Sequence, residues 1–321
     1  MIAVVIPAYK AKRQVLDVIA DIGDQVEAIY VVDDACPDST GKHVESQCDD
    51  ARVKVIYNEE NFGVGGAMIA GYRQAISAGA EVIVKIDSDG QMDPRLIGNF
   101  VRPIIDGKAD YTKGNRFYDI ESVQSMPRLR LLGNAALSFL TKFSSGYWNI
   151  MDPTNGFTAI HANVLRMLPL DKLDRRYFFE SDLLFRLNTV HAVVMDVPMT
   201  ARYGGENSQL FPRKIAVEFL IKHIKRIFKR FFYNYFLRDF NVGTLFLVSG
   251  TTLTLFGLLF GLYHWSLSFS SGQPATTGTV MLAAIPGLLG VQSLISALSY
   301  DIANVPRHAI HTFVMDARES E

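Results

Sequence analysis

The sequence predicts an α/β domain built on a mostly parallel sheet, followed by amphipathic interfacial helices and two transmembrane helices. Short apolar segments alternate with segments of helical periodicity in the N-terminal part, as is typical of βαβ units. Two later segments of about 22 residues contain no Asp, Glu, Lys or Arg, and about 20 such residues suffice to cross a bilayer. With 49% hydrophobic and 20% charged residues among 321, the composition is that of a folded chain.

The predicted strands share an apolar run that stops at a proline, a carboxylate or a turn. They are 2–6, 28–32, 53–57, 81–86, 111–114, 155–160 and 192–197. Helical spacing lies between them, in 15–22, 66–78, 129–143 and 178–188 and in a segment that begins at Ser39. Ligands of open α/β sheets bind beyond the carboxyl ends of the strands. Because the second strand ends in Asp33-Asp34 and the fourth in Asp87, we expect both acidic ends to face one crevice.

The segment Asp87-Ser88-Asp89 is the strongest chemical signal within these strand ends. Two carboxylates two residues apart at a strand end can reach one hard cation. Mg²⁺ typically takes one or two protein carboxylates together with substrate phosphate oxygens. Such tripeptides are also common in loops by chance, but the position after a buried strand favours a functional interpretation. Gln91 adds a further oxygen, so the pattern predicts a site for Mg²⁺ or Mn²⁺ and a diphosphate.

The glycine-rich segment 61–68 nearly matches a dinucleotide fingerprint. It follows the third strand instead of the first, and Met68 stands at its last position, which disfavours a nicotinamide cofactor. A helix entered through glycines suits either a bound phosphate or a tight packing turn, and the sequence leaves both open.

Basic and aromatic residues interleave in 213–238, a pattern typical of a helix on an anionic membrane surface. The predicted membrane spans are 242–263 and 279–300. Their connector, 264–278, has no Lys or Arg, whereas basic residues precede the first span and Arg307 follows the second. The positive-inside rule therefore places both ends in the cytoplasm. The net charge of -1 gives no whole-chain reason to expect nucleic acid.

These features divide the chain into four parts. They are the α/β domain at 1–208, interfacial helices at 209–240, a two-helix anchor at 241–305 and a cytoplasmic tail at 306–321. Small residues in the second span, among them Gly287 and Gly290, suit close helix packing. They are equally compatible with a homo-oligomer, either a dimer or a tetramer, and with an incidental role.

Six motifs occur in the order and spacing of a known family. They are Ile6-Pro7-Ala8-Tyr9, Val31-Val32-Asp33-Asp34 through Thr40, Asn61-Phe62-Gly63, Asp87-Ser88-Asp89-Gly90-Gln91, Gly114-Asn115-Arg116-Phe117 and Thr154-Asn155-Gly156-Phe157. In these the chain resembles family 2 glycosyltransferases with the nucleotide-diphospho-sugar transferase (GT-A type) fold. Within that family it is similar to the polyprenyl-phosphate hexose synthases, the relatives of dolichyl-phosphate mannose synthase and of bactoprenyl glucosyl and mannosyl transferases. The resemblance covers nearly all of 1–205.

The resemblance implies a role for each matching residue. The nucleotide-sugar site would comprise Pro7, Ala8, Tyr9, Asp33, Asp87, Ser88 and Asp89. The metal ligands would be Asp87, Asp89 and Gln91, and the acceptor phosphate would meet Arg116, Arg130 and Asn134. The residues that act in catalysis would be Asp89, Arg116, Arg130 and Arg202. Lys10-Ala11 replace the Asn-Glu pair that the family often carries, which leaves the choice of base open.

The reaction that the resemblance implies is inverting transfer of a hexose from UDP-glucose or GDP-mannose to undecaprenyl or dolichyl phosphate. It would take place at the cytoplasmic face of the cell (inner) membrane. One alternative is a transferase acting on a glycolipid hydroxyl, for which Glu180 or Asp182 would serve as base. A second is a membrane adaptor that binds nucleotide sugar without catalysis.

Overall fold

The computed structural model describes residues 1–118, 128–200 and 213–316, without the side chains of 128–132, 213–216 and 315–316. Contacts divide the chain into two compact units. The first contains the residues up to 227 together with those described after 305, and the second contains 228–305. The segment after the anchor is therefore part of the first unit and not a separate tail.

A seven-stranded sheet forms the centre of the first unit. Its strands are β1 (Ile2–Ala8), β2 (Ala28–Asp33), β3 (Val53–Tyr57), β4 (Val82–Lys85), β5 (Tyr111–Asn115), β6 (Thr158–His161) and β7 (Val194–Pro198). Their order is β3-β2-β1-β4-β6-β5-β7. All neighbouring pairs are parallel except the two made by β6, which runs antiparallel to both β4 and β5. The predicted mostly parallel sheet is confirmed.

The helices of the first unit cover this sheet. They are α1 (Val15–Ala20), α2 (Thr40–Gln47), α3 (Val64–Ser77), α4 (Ile97–Ile105), α5 (Arg128–Ser145), α6 (Ala162–Met167), α7 (Phe179–Thr189) and the beginning of α8 (Arg213–Phe232). The helices α4 and α6 lie in segments for which the sequence predicted no element. Every residue of β2 and β4 is buried, as expected for parallel strands with both faces covered.

Close packing of α3 against β1 depends on a glycine. A Cβ atom at Gly71 would lie 2.2 Å from Cγ1 of Val5, which is closer than two carbon atoms can approach. On another part of the sheet, the rings of Phe100 and Phe157 stack with centroids 3.9 Å apart. The first contact packs α3 on β1, and the second packs α4 on the residue that precedes β6, while β1 and β4 lie side by side through parallel strand pairing.

The chain after residue 305 returns to the sheet domain. Asp110 accepts hydrogen bonds from the backbone N–H groups of Ile310 at 3.0 Å and His311 at 2.9 Å. The ring of His311 stacks on that of His161, with centroids 4.2 Å apart, and the short helix α11 (His311–Asp316) begins here. Burial, followed by the charge of His311, lowers the pKa of His161 to about 4.

The second unit consists mainly of two long apolar helices, α9 (Val242–Ser271) and α10 (Thr277–Ala303). Both are long and apolar enough to cross a membrane. They pack through small residues, because a Cβ at Gly290 would lie 2.4 Å from the backbone nitrogen of Thr254. A Cβ at Gly257 would lie 2.7 Å from the backbone nitrogen of Gly287. Of the two glycines that the sequence singled out, Gly290 thus serves packing within the hairpin, whereas a Cβ at Gly287 would meet no atom within 4 Å.

A buried ion pair lies at one end of the second unit. Arg230 donates to both carboxylate oxygens of Asp301, at 2.7 and 2.9 Å, and the hydroxyl of Tyr235 donates to the same carboxylate at 2.6 Å. Both charged side chains are almost fully buried. This bidentate arrangement joins the end of α8 to α10.

Candidate functional site

A cleft of about 700 Å³ opens beyond the carboxyl ends of β1, β2 and β4. Six of the residues assigned to the nucleotide-sugar site line it, namely Pro7, Ala8, Tyr9, Asp87, Ser88 and Asp89. The cleft is also lined by residues that were not assigned to the nucleotide-sugar site, namely Asp34, Asn61, Gly63, Val64, Ala67, Arg176 and Tyr177. The tertiary structure therefore brings two distant predicted segments, at residues 7–9 and 87–89, into one wall.

The loop after β4 is held in place by three local features. The Ser88 hydroxyl donates to the Pro7 carbonyl oxygen at 2.8 Å and joins the two predicted segments. Gly90 has a φ of +73°, a conformation that residues with a Cβ rarely adopt. The backbone N–H of Gln91 donates to Oδ1 of Asp89 at 3.0 Å. This turn presents the exposed carboxylate of Asp89 and leaves Gln91 outside the lining of the cleft.

A buried lysine lies behind Asp87. The ammonium of Lys85 is 2.6 Å from Oδ1 of Asp87 and 3.2 Å from Oε1 of Glu180, and it donates to the Gly156 carbonyl oxygen at 3.2 Å. Burial lowers the pKa of Lys85, but the charges of Asp87 and Glu180 outweigh that effect and hold its pKa above the ordinary value. Lys85 is therefore charged and compensates part of the negative charge at the cleft.

The two aspartates at the end of β2 have different surroundings. Asp33 accepts hydrogen bonds from the backbone N–H groups of Cys36 at 2.7 Å and Gly41 at 2.6 Å, and it orders the turn before α2. Asp34 lines the cleft and accepts from the backbone N–H of Gly63 at 2.7 Å. The sequence assigned the nucleotide contact to Asp33, whereas the structure places the neighbouring Asp34 at the cleft.

The glycine-rich segment places one glycine at the cleft and two at packing positions. Gly63 lines the cleft with a φ of +83°, at the start of α3. By contrast, Gly65 and Gly66 are packing positions. A Cβ at Gly65 would lie 2.3 Å from the Asp174 carbonyl oxygen, and one at Gly66 would lie 2.2 Å from Cβ of Phe62. Only the first of these glycines therefore borders the site.

Arg116 follows β5 and is engaged by a buried carboxylate. Its Nε and Nη2 atoms donate to the two oxygens of Asp152, at 2.7 and 3.0 Å. The Asn115 amide donates to Asp196, a carboxyl whose pKa is raised by burial, at 2.6 Å and fixes the turn before Arg116. These contacts orient the Arg116 guanidinium before any ligand binds. The sequence did not single out the buried Asp152.

The remaining predicted acceptor residues are described only in part. Arg130 lies in α5, but its side chain is outside the described part of the chain. Asn134 lies one turn later on the same helix and is half-buried. Arg202 belongs to 201–212, which the structure does not describe.

The two candidate bases are both engaged in ion pairs. Asp182 is fully buried and accepts from Arg186 at 3.0 Å and Arg226 at 2.6 Å. It also accepts from the Asp174 backbone N–H at 3.0 Å. Glu180 pairs with Lys85. Asp182 therefore has a structural role at the junction of α7 and α8, and Glu180 belongs to the wall behind Asp87.

The donor atoms at the cleft fit a hard divalent cation. The described residues include no group of three or more His, Cys, Asp or Glu side chains suited to a metal. Two carboxylates, Asp87 and Asp89, nevertheless line the same cleft. One or two carboxylates, completed by water and substrate phosphate oxygens, are the donor set that Mg²⁺ usually takes from a protein. The residues present thus suit an ion that binds together with a diphosphate.

The fold and cleft define a nucleotide-sugar transferase of the GT-A type. The model of the family described as "Glycosyl transferase family 2" matches residues 3–168, just over half of the chain, and the chain belongs to that family. In a structural comparison, glucosyl-3-phosphoglycerate synthase from Mycobacterium tuberculosis in complex with UDP has a TM-score of 0.53 at 20% identity. That match covers 72% of this chain and 79% of that one.

Two relatives match just over three fifths of the chain. A UDP-N-acetylglucosamine–dolichyl-phosphate N-acetylglucosaminyltransferase of Methanococcus voltae is 29% identical, over 63% of this chain and 86% of the relative. An undecaprenyl-phosphate mannosyltransferase of Micrococcus luteus is 30% identical, over 61% and 81%. The names of the two relatives specify different sugars and different polyprenyl phosphates.

Proposed function

We propose that this protein transfers a hexose from a nucleotide-diphosphate sugar, UDP-glucose or GDP-mannose, to the phosphate of a polyprenyl lipid at the cytoplasmic membrane face. The observation that carries the proposal is the single cleft lined by residues 7–9 and 87–89 on a membrane-linked family 2 domain. The polyprenyl-phosphate acceptors of the relatives support the choice of acceptor.

The donor nucleotide occupies the cleft. The half-exposed Tyr9 ring and Pro7 offer an apolar surface for the base and ribose, with Asp33 or its neighbour Asp34 on the adjoining side. The diphosphate lies toward Asp87 and Asp89, which would hold Mg²⁺ or Mn²⁺, and the bound ion would supply positive charge to the leaving group. Arg176, which lines the same cleft, adds a guanidinium to this anion site.

The acceptor phosphate binds on the side of Arg116, with Arg130 and Asn134 of α5 as further contacts. Arg116 offers a planar fork that suits phosphate oxygens, and Asp152 holds that fork in one orientation. Positioning of this kind turns an encounter between two substrates into a reaction within one complex.

The reaction is a single displacement with inversion. A phosphate oxygen of the lipid forms the new bond to the anomeric carbon. The bond from that carbon to the diphosphate breaks, and its electron pair leaves with the nucleoside diphosphate. A phosphate oxygen is already ionised near neutral pH, so no general base is required. The ion pairs of Glu180 and Asp182 favour this reaction over transfer to a glycolipid hydroxyl, which needs a base. Arg202 would stabilise the leaving group.

The membrane hairpin keeps the domain near its lipid acceptor. The chain contributes to the first unit both before and after the hairpin, which favours two crossings with both ends on one side. One face of α8 exposes Val217, Leu220, Ile221, Ile224 and Phe228. Lys222 and Arg226 on the same helix pair with Asp174 and Asp182 of the domain. The apolar face, accompanied by the exposed Lys225 and Lys229, therefore suits insertion at the membrane surface.

The test uses membranes that contain the full chain, a panel of labelled nucleotide sugars and undecaprenyl phosphate. We expect one donor to yield a labelled lipid that still carries a single phosphate, and no transfer to undecaprenol. Transfer to a glycolipid hydroxyl alone would contradict the proposed acceptor. Binding of a nucleotide sugar without transfer to either lipid would favour the adaptor.

A further inference from the structure

A charged side chain ends the otherwise apolar strand β4. Lys85 is the last residue of this strand, all four of its residues are buried, and its own side chain is only 1% exposed. Burying an ammonium group costs several kcal/mol unless carboxylates compensate its charge. A lysine at this position therefore requires a reason beyond filling the core.

The contacts of Lys85 converge on one carboxylate of the cleft. Its ammonium holds Oδ1 of Asp87 at 2.6 Å. Gly156 adjoins both groups, because a Cβ at this position would lie 2.2 Å from Oδ2 of Asp87 and 2.5 Å from the Lys85 ammonium. Asp87 is thus bounded by a charged group and by a backbone position at which only glycine leaves enough space. Its carboxylate has little freedom to rotate away from the cleft.

The same ammonium also contacts a carboxylate on helix α7. Glu180, in the first turn of α7, lies 3.2 Å from it, so that one positive charge lies between two carboxylates from different elements. Without that charge the two carboxylates would repel each other, and Asp87 would lose the group that holds Oδ1.

We propose that Lys85 is the positioning residue of the donor site, which holds the Asp87 carboxylate in the orientation that receives the metal–diphosphate of the donor. This inference rests on the proposed function for the identity of the ligand. It assigns to Lys85 no contact with the substrate. Lys85 acts through Asp87, and Gly156 provides the space in which both side chains meet.

The chain offers a matched control for the loss of a buried lysine. Lys113 on β5 is also fully buried, and its ammonium donates to the Asn155 carbonyl oxygen. Replacement of Lys113 by methionine removes an ammonium of the same size from the same sheet and leaves the ion pair of Asp87 in place. Effects that follow only from core destabilisation should therefore be similar in Lys85→Met and Lys113→Met.

The experiment measures Mn²⁺ binding to the full-length protein in detergent by electron paramagnetic resonance, in the presence of UDP or GDP, whichever the wild type binds more tightly. The variants are Lys85→Met, Lys85→Arg and Lys113→Met, with melting temperatures recorded for each. We expect Lys85→Met to weaken Mn²⁺–nucleotide binding at least tenfold and Lys113→Met less than threefold. Lys85→Arg, which retains the charge, should recover part of the loss.

A second variant keeps the test valid if Lys85→Met does not fold. Gly156→Ala retains every charge but places a methyl group between Lys85 and Asp87, and it should weaken binding in the same direction. Equal losses in Lys85→Met and Lys113→Met, or unchanged binding in Lys85→Met, would overturn the proposal. A wild type that binds Mn²⁺ and nucleotide but glycosylates no lipid phosphate would refute the proposed function and leave this inference standing.

Discussion

The carboxylate of Asp110 lies 2.7 Å from Nδ1 of His311, a residue 201 positions later in the sequence. The two side chains join the sheet domain to the segment that follows the apolar hairpin. Asp110 also accepts from the backbone N–H of Val193 at 2.7 Å, so the contact is anchored by the residues that immediately precede β5 and β7. The chain thus leaves this domain, passes through two apolar helices and returns to it, an arrangement that agrees with the two membrane crossings proposed above.

The topology is testable with single cysteines. We expect a membrane-impermeant thiol reagent to label Gln273→Cys, in the connector between α9 and α10, in intact cells. His308→Cys should react only after the membrane is permeabilised, because residues 306–316 are on the side of the sheet domain. Both positions are exposed, so that access to the side chain does not differ between them. Labelling of His308→Cys in intact cells would contradict the hairpin.

The metal site can be tested by removal and restoration. Chelation should abolish transfer, and Mn²⁺ or Mg²⁺ should restore it. We expect Asp89→Ala to lower kcat/KM by about 100-fold, equivalent to about 3 kcal/mol of transition-state stabilisation. Asp171→Ala is the control, since Asp171 is an exposed surface carboxylate paired with Arg73. Transfer by Asp89→Ala at the wild-type rate would remove Asp89 from the site.

Arg116→Lys tests the acceptor site. Lysine retains the charge but lacks the planar fork, so the KM for the lipid phosphate should rise about tenfold, with little change in the KM for the donor. The control is Arg95→Lys, because Arg95 makes a similar fork on Asp93 at an exposed surface position. If the donor KM rises instead, Arg116 belongs to the nucleotide site.

Stability should fall in mild acid because two buried histidines are neutral in the folded state. Burial is the main cause that lowers the pKa of both His161 and His223 to about 4, against about 6.5 in an unfolded chain. Between these values the unfolded state binds more protons, so the stabilisation present above pH 6.5 is lost as the pH falls. The loss at pH 5 is on the order of 2 kcal/mol per histidine.

The measurement compares melting temperatures between pH 7.5 and 5 for the wild type and the double variant His161→Asn/His223→Asn. Asparagine at 161 can still accept the Asn163 backbone hydrogen bond at the start of α6. The double variant should show a smaller drop over this interval. An equal drop would attribute the acid sensitivity to other groups.

The Arg230–Asp301 pair predicts a strong effect of removing one partner. Arg230→Met leaves a buried carboxylate without its counter-charge, which typically costs 3–5 kcal/mol, roughly the stability of a small domain. Arg230→Met/Asp301→Asn removes both charges and retains an acceptor for the Tyr235 hydroxyl, so it should melt closer to the wild type. A double variant as unstable as the single one would show that shape and not charge determines this contact.

Most elements and much of the donor site could be predicted from local patterns. Apolar runs that stop at Pro7, Asp33 and Asp87 mark the strands, and a sheet with ordered strand ends brings such tips together. The two apolar helices could likewise be predicted, from the length and composition of their segments. Local patterns could not show which of Asp33 and Asp34 lines the cleft. Adjacent strand residues point to opposite faces, and only the turn after β2 determines which of the two reaches the cleft.

The residues that hold the site residues in place, Lys85 and Asp152, could not be identified from the sequence. A lysine within an apolar strand was a visible anomaly, but its partners Glu180 and Gly156 come from elements far along the chain. Asp152 has no motif of its own, and it became relevant only through its contact with Arg116.

The sequence by itself determined the α/β class, the carboxylates at the strand ends and the two apolar spans, because hydrophobic periodicity and residue chemistry are local properties. The tertiary structure decided which residues meet. It placed Asp34 at the cleft, Lys85 behind Asp87, Asp182 in a structural ion-pair network and His311 against Asp110. Such pairings depend on strand order and on the reversed direction of β6, which arise only when the whole sheet assembles.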